Sequence, residues 1–295
     1  VKQSIHLIDA GALKELLARE TDAVLIDTRE ELEFSQGHIE NAISNQWFQW
    51  CAKAPPTAKS TLFEPGYWGN LDVDSIENIE KSLGDLGITN SGTVILYSSG
   101  IASKGREGRL AWMLLYFGIE KVYILDGGYN AWLNSRGEVS TNIVEPKRAK
   151  FEVALQHERR IDIDGVKKLL DGDRGCEPLL VDTRSPMEFE GRLYDYQPRM
   201  GHIPRSVNIW FDRYFASDGR FIGNEQFLSL LESEGAIDIK ATYCEVGVRA
   251  ATFALLFELA TGAILPVYDG SLMEWSHNPE LTVISGCHDD RDGET

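Results

Sequence analysis

Short runs of apolar, largely β-branched residues alternate along this chain with longer segments in which apolar residues recur every three or four positions. In the first half the short runs Val24–Asp27, Ala42–Ser44, Val94–Tyr97 and Val122–Leu125 predict strands. Helical periodicity covers Ala10–Arg19, Ser75–Leu86, Lys104–Phe117 and Tyr129–Asn134, with Asp9 and Asp74 as candidate N-caps. The second half predicts strands at Leu179–Asp182, Val207–Ile209, Ala241–Tyr243 and Ile264–Tyr268, and helices near Gly165–Leu170, Glu225–Glu234 and Val248–Ala260. Apolar strands alternating with helices predict an α/β fold: a mainly parallel sheet with helices on both faces.

The two halves repeat each other. Val-Leu-Ile-Asp-Thr-Arg (24–29), followed by Gly-His-Ile (37–39), is answered by Leu-Leu-Val-Asp-Thr-Arg (179–184) and Gly-His-Ile (201–203). Leu-Asp-Gly-Gly-Tyr-Asn-Ala-Trp (125–132) is answered by Tyr-Asp-Gly-Ser-Leu-Met-Glu-Trp (268–275). Between these landmarks, Thr-Val-Ile-Leu-Tyr-Ser (93–98) stands opposite Lys-Ala-Thr-Tyr-Cys (240–244). Four landmarks in one order predict two homologous domains, residues 1–140 and 161–295. The stretch 141–160, with Pro146 and clustered Lys and Arg, reads as a linker.

Composition narrows the partners. A chain of 295 residues that is 43% hydrophobic and 25% charged suits two globular domains. No apolar run approaches the roughly 20 residues of a membrane span, so no membrane partner is expected. A net charge of −17 argues against nucleic acid and makes attraction for an anionic substrate a local matter. The four cysteines form no CxxC pair, which predicts no disulfide framework and no metal site. Cys51, Cys176 and Cys287 read as ordinary free thiols. The chain starts Val-Lys without a basic-then-apolar leader, so the expected location is cytoplasmic, or periplasmic if a leader has been removed.

The candidate chemistry lies at Cys244, where a strand ends and a helix begins. A thiol there faces unpaired N–H groups and the positive end of the helix, an environment that favours the reactive thiolate. Gly247 lets the loop turn tightly, and Arg249 can return over it with a full positive charge. Glu245, Val246, Gly247, Val248 and Ala250 complete the candidate loop. In the first domain the matching position is Ser98, and Arg106 and Arg109 stand too far along to match Arg249. That domain reads as catalytically silent.

The paired Asp-Thr-Arg…Gly-His-Ile segments, the cysteine loop before a helix and the Asp-Gly-Gly…Trp landmark resemble the tandem rhodanese-type sulfurtransferases. The resemblance spans essentially the whole chain. It implies two rhodanese-like domains, an active site in the second facing a cleft against the first, and a persulfide on Cys244. Thiolate attack on the outer sulfur of an anionic donor such as thiosulfate would load the cysteine, and cyanide or a thiol would unload it. No cofactor is required.

Two departures from the resembled enzymes bear on the donor. Thiosulfate and mercaptopyruvate sulfurtransferases carry an arginine four residues after that of the Asp-x-Arg motif, where this chain has Glu188. They have Thr where it has Arg249. The loop residues Glu245 and Val246 match neither group, and Glu245 must point away from the thiolate. Arg184, Arg192, Arg199, Trp210 and Trp275 are candidate cleft residues. The alternatives are a 3-mercaptopyruvate sulfurtransferase, a protein-persulfide carrier, a cysteine-dependent phosphatase or arsenate reductase, and a binding module without turnover. Phosphatases place one more residue between Cys and Arg than the four found here. His38 and His202, repeated in both halves, read as structural, as do the Asp27–Arg29 and Asp182–Arg184 pairs.

Overall fold

The computed structural model describes residues 4–53, 67–172, 175–193 and 197–286. Cys287 lies outside these residues. The first half runs β1 (Ile5–Ile8), α1 (Ala10–Arg19), β2 (Val24–Asp27), α2 (Glu31–Gln36), β3 (His38–Ile39) and β4 (Ile43–Ser44). It continues β5 (Cys51–Lys53), β6 (Tyr67–Leu71), α3 (Ile76–Asp85), β7 (Thr93–Tyr97), α4 (Arg106–Tyr116), β8 (Lys121–Leu125), α5 (Gly128–Asn134) and β9 (Val139–Ser140). The second half runs β10 (Arg160–Ile161), α6 (Ile163–Gly172), β11 (Leu180–Asp182), α7 (Pro186–Phe189) and β12 (Ser206–Asn208). It closes with α8 (Asn224–Ser233), β13 (Ala241–Tyr243), α9 (Val248–Thr261), β14 (Val267–Tyr268) and α10 (Ser271–His277).

Each half builds a five-stranded parallel sheet, in the orders β1-β8-β7-β2-β4 and β10-β14-β13-β11-β12. Strand for strand these are the same path, so the sequence repeat is a repeat of topology. The strands leading to Ser98 and Cys244 are both the middle strand. In a parallel sheet the loops beyond the strands' carboxyl ends are where a site can form.

The structure differs from the expected elements in instructive ways. Two edge strands, β1 and β10, were not expected; each pairs on one side only. Arg160, placed in the linker by sequence, pairs with Val267 and belongs to the second sheet. The helix expected from Ser75 is capped by Ser75 itself, whose hydroxyl accepts from Asn78 N; Asp74 instead bonds back to Asp72. The short helices α2 and α7 span too few residues to show periodicity, yet each opens on a capping box, Glu30 with Glu33 and Ser185 with Glu188.

Helices α4 and α9 are buried on nearly every side, each lying between its own sheet and the other domain. Leu114 and Phe117 from one half and Phe253 and Phe257 from the other belong to one apolar core. Each such side chain contributes about 1.5–3 kcal/mol, so the halves fold as one body. Polar clamps repeat with the same symmetry. The landmark Asp126 accepts from Phe221 N at 2.9 Å, and its counterpart Asp269 accepts from Leu71 N at 2.8 Å. Each domain thus lends backbone to the other's landmark loop, and β6 is carried against the loop after β13.

Candidate active site

Four residues, Cys244 to Gly247, separate β13 from α9. Gly247 has φ 77, a backbone that a side chain strains, and it caps α9. The landmark loop holds this turn from below. Cys244 N donates to Ser271 Oγ at 3.1 Å, Leu272 N donates to Cys244 O at 3.2 Å, and Met273 N donates to Glu245 O at 3.0 Å. In the first half Tyr129 N donates to Ser98 O at 2.8 Å, the matching bond. The landmark therefore recurs in both copies because it fixes the carbonyl of the Cys or Ser position. Cys244 is buried, 1% exposed.

Arg249 and Glu188 meet here. Nη1 and Nη2 of Arg249 each donate to one Glu188 oxygen, both at 2.8 Å. Burial pushes the Glu188 carboxyl up, but the Arg249 hydrogen bonds and charge outweigh it and hold the group down at about 2. Arg249 is the second residue of α9 and follows Cys244 by five positions. Sequence had treated Arg249 as a free charge on the loop; the structure joins it to a carboxylate. The signal was present: relative to the resembled enzymes, Arg is replaced by Glu at 188 and Thr by Arg at 249, a complementary exchange.

Glu245 is 4% exposed, with Oε1 accepting from Gln197 at 2.6 Å and Oε2 without a hydrogen-bond partner among the described residues. Burial pushes its carboxyl up. Val246 and Val248 pack with Trp47, Cys51 and Met273, an apolar seam shared by both halves, and Ala250 is fully buried in the core. Tyr214, which sequence reasoning missed, belongs with Cys244 to the same core: burial pushes its phenol up, and its hydroxyl donates to Ile209 O at 2.7 Å.

The candidate cleft residues have other occupations. Arg184 is 1% exposed and engaged by Asp182, Gly201 O and Glu188 O. Arg199 donates to the carbonyls of Trp275, Ser276 and Asn278 at the end of α10 and to that of Leu281 beyond it. Arg192 is exposed and pairs with Glu190 at 2.6 Å. Trp275 is 2% exposed in the core and donates to Thr282 O, whereas Trp210 is 37% exposed. His38 and His202 stack on Phe34 and Phe189, and the Nδ1 of each meets that residue's carbonyl at 2.9 Å.

The first domain's loop is built differently. Eight residues, Ser98 to Gly105, separate β7 from α4, and they include a 3-10 turn. Ser98 Oγ is buried without a hydrogen-bond partner among the described residues, and Ser99 donates to Glu33 at 3.1 Å. Counted from the glycine that caps each helix, the position of Arg249 is taken by Glu107. Burial pushes that carboxyl up to about 7, and it accepts from Ser103 Oγ at 2.6 Å. The loop lacks both the thiol and a guanidinium.

Fold and site together define a duplicated α/β protein with one cysteine loop. The rhodanese-like domain is matched twice, over residues 9–135 and 164–278. A Haloferax volcanii relative is 32% identical over 217 residues, covering 70% of this chain and 73% of that protein. SseA of Mycobacterium tuberculosis is 27% identical over 291 residues, 95% of this chain and 91% of that protein. Both bear the name "Putative thiosulfate sulfurtransferase". A solved anaerobic ergothioneine biosynthesis enzyme of Chlorobium limicola shares the fold, with TM-score 0.80 and 24% identity over 95% of this chain and 70% of that one. The chain belongs to the rhodanese family, with its domain in tandem. Among the described residues no helix is long and apolar enough to cross a membrane.

Proposed function

We propose that the chain is a sulfurtransferase that carries sulfane sulfur as a persulfide on Cys244. The observation that supports this most is the four-residue turn from β13 to α9, which sets one thiol at the N-terminus of the helix that carries Arg249. The thiolate attacks the outer sulfur of thiosulfate, the S–S bond breaks, and sulfite leaves with the electron pair. Cyanide or a thiolate then attacks the terminal sulfur and releases the Cys244 thiolate. Both steps are displacements, with no external oxidant or reductant. Loop amides stabilise the anion as it forms.

The Arg249–Glu188 pair favours a second donor class. With its guanidinium engaged by Glu188, Arg249 itself offers a small dianion little, whereas a persulfidated thiol or protein needs no such contact. Steady-state thiocyanate formation from cyanide tests the reading, with thiosulfate, 3-mercaptopyruvate and a persulfidated thiol as donors. Parallel-line ping-pong kinetics with at least one donor are expected. Aryl phosphate hydrolysis without sulfur transfer would replace the reading with phosphatase chemistry.

A further inference from the structure

The first domain reaches the cysteine loop with an arginine. Arg109, on α4, is 1% exposed. Its Nη2 donates to Gly69 O on β6 and lies 3.8 Å from Cys51 Sγ, while Nε and Nη1 have no hydrogen-bond partner among the described residues. The guanidinium also lies over Trp112, 4.8 Å from the ring centroid. Nη1 faces the Cys244 turn directly: a Cβ on Gly247 would stand 2.6 Å from it. Beside it, a Cβ on Gly69 would run into Val246 O. The silent domain thus presses strand and arginine onto the outer side of the turn.

The other guanidinium groups around the turn are paired, and Glu245 is a buried carboxyl in the turn itself, held by Gln197 at 2.6 Å. Arg249 is paired with Glu188, Arg184 with Asp182, and Arg160 with Asp269 at 2.9 Å. Glu274, nearby, receives hydrogen bonds from Tyr268 and Asn70, and burial pushes its carboxyl up. Among the described residues packed on the turn, Arg109 is the guanidinium with no ion pair, and the Asp269 backbone meets Gly247 beside it. An arginine keeps its charge, and in a buried seam that charge acts at strength over several ångströms.

We propose that Arg109 is a positioning residue of the sulfurtransferase reaction, supplying from the first domain a positive charge not engaged in an ion pair, which favours anionic sulfur on Cys244, and fixing the turn through Gly69 and Gly247. This rests on the persulfide reading of Cys244. It gives the silent domain a chemical task in the transfer.

The test is the rate at which iodoacetamide alkylates Cys244 near neutral pH, read by peptide mass spectrometry in the full chain. This reaction follows the thiolate and needs no sulfur donor. Arg109→Met should slow it roughly ten-fold with cooperative melting retained, and Arg109→Lys should recover most of the rate. Cys51→Asp, which sets a carboxylate against the same guanidinium, should slow Cys244 similarly with the arginine in place. If Arg109→Met does not fold, Cys51→Asp decides. A wild-type rate in either folded variant, or Arg109→Lys as slow as Arg109→Met, overturns the proposal. Alkylation as expected in a protein that accepts no sulfur would instead defeat the transfer reading and leave the charge effect standing.

Discussion

Arg249 holds Glu188 through two hydrogen bonds of 2.8 Å, one to each carboxylate oxygen, at the start of the helix that follows the candidate nucleophile. The guanidinium available to an incoming anion is thereby reduced to a neutral pair. Glu188→Gln should release it. The expected result is a thiosulfate KM lower by about five-fold or more, together with a stability loss of about 2–4 kcal/mol from breaking a buried pair. Thiocyanate kinetics and urea unfolding read the two effects separately. An unchanged KM would mean that Arg249 does not meet the donor.

Burial sets a pH dependence at Glu107, whose carboxyl is pushed from an ordinary 4.5 up to about 7. The folded state binds that proton more tightly than the unfolded chain does. Its stabilisation is therefore complete below 4.5 and is lost as pH rises through about 7. Glu107→Gln removes this loss. Relative to wild type it should gain about 3 kcal/mol between about pH 4 and pH 8, measured by urea unfolding at each pH. Parallel stability profiles would show that Glu107 does not titrate in this window.

Gly69 has φ 83 and lies against Val246 O across the domain seam. Gly69→Ala should push the cysteine turn away from β6, costing about 2–4 kcal/mol and slowing sulfur transfer. Chemical denaturation and thiocyanate formation check both effects. Wild-type values for both would show that the seam yields without consequence.

Restoring a thiol to the first domain should not restore chemistry. Ser98→Cys places sulfur in an eight-residue loop, with a buried carboxyl where Arg249 would stand. The variant should take no sulfur at position 98 from thiosulfate, as read by peptide mass spectrometry. Sulfur uptake there would mean that the helix N-terminus alone suffices.

Much of this arrangement can be read from the sequence. The central strands are apolar and β-branched because helices cover both faces, and their ends fall where the Asp-Thr-Arg and Cys or Ser landmarks stand. The duplication is plain because Asp27, Arg29 and His38 make the same local bonds as Asp182, Arg184 and His202. The edge strands β1 and β10 escape periodicity: β10 is two residues long, and each pairs with one neighbour only. Arg109 is harder still. Its bond to Gly69 O and its contact with the turn at Gly247 span distant stretches of chain, and no local pattern records which face of a wholly buried helix meets the other domain. The reach of Glu188 to Arg249 was equally long-range, although the exchanged charges hinted at it.

The sulfur itself tests the central claim most directly. Protein incubated with thiosulfate, 3-mercaptopyruvate or a persulfidated thiol should show, by peptide mass spectrometry, one added sulfur atom on Cys244. Cyanide should remove it, and Cys244→Ser should never acquire it. No gain on Cys244 from any of these donors, or a gain confined to Cys51 or Cys176, would contradict the account.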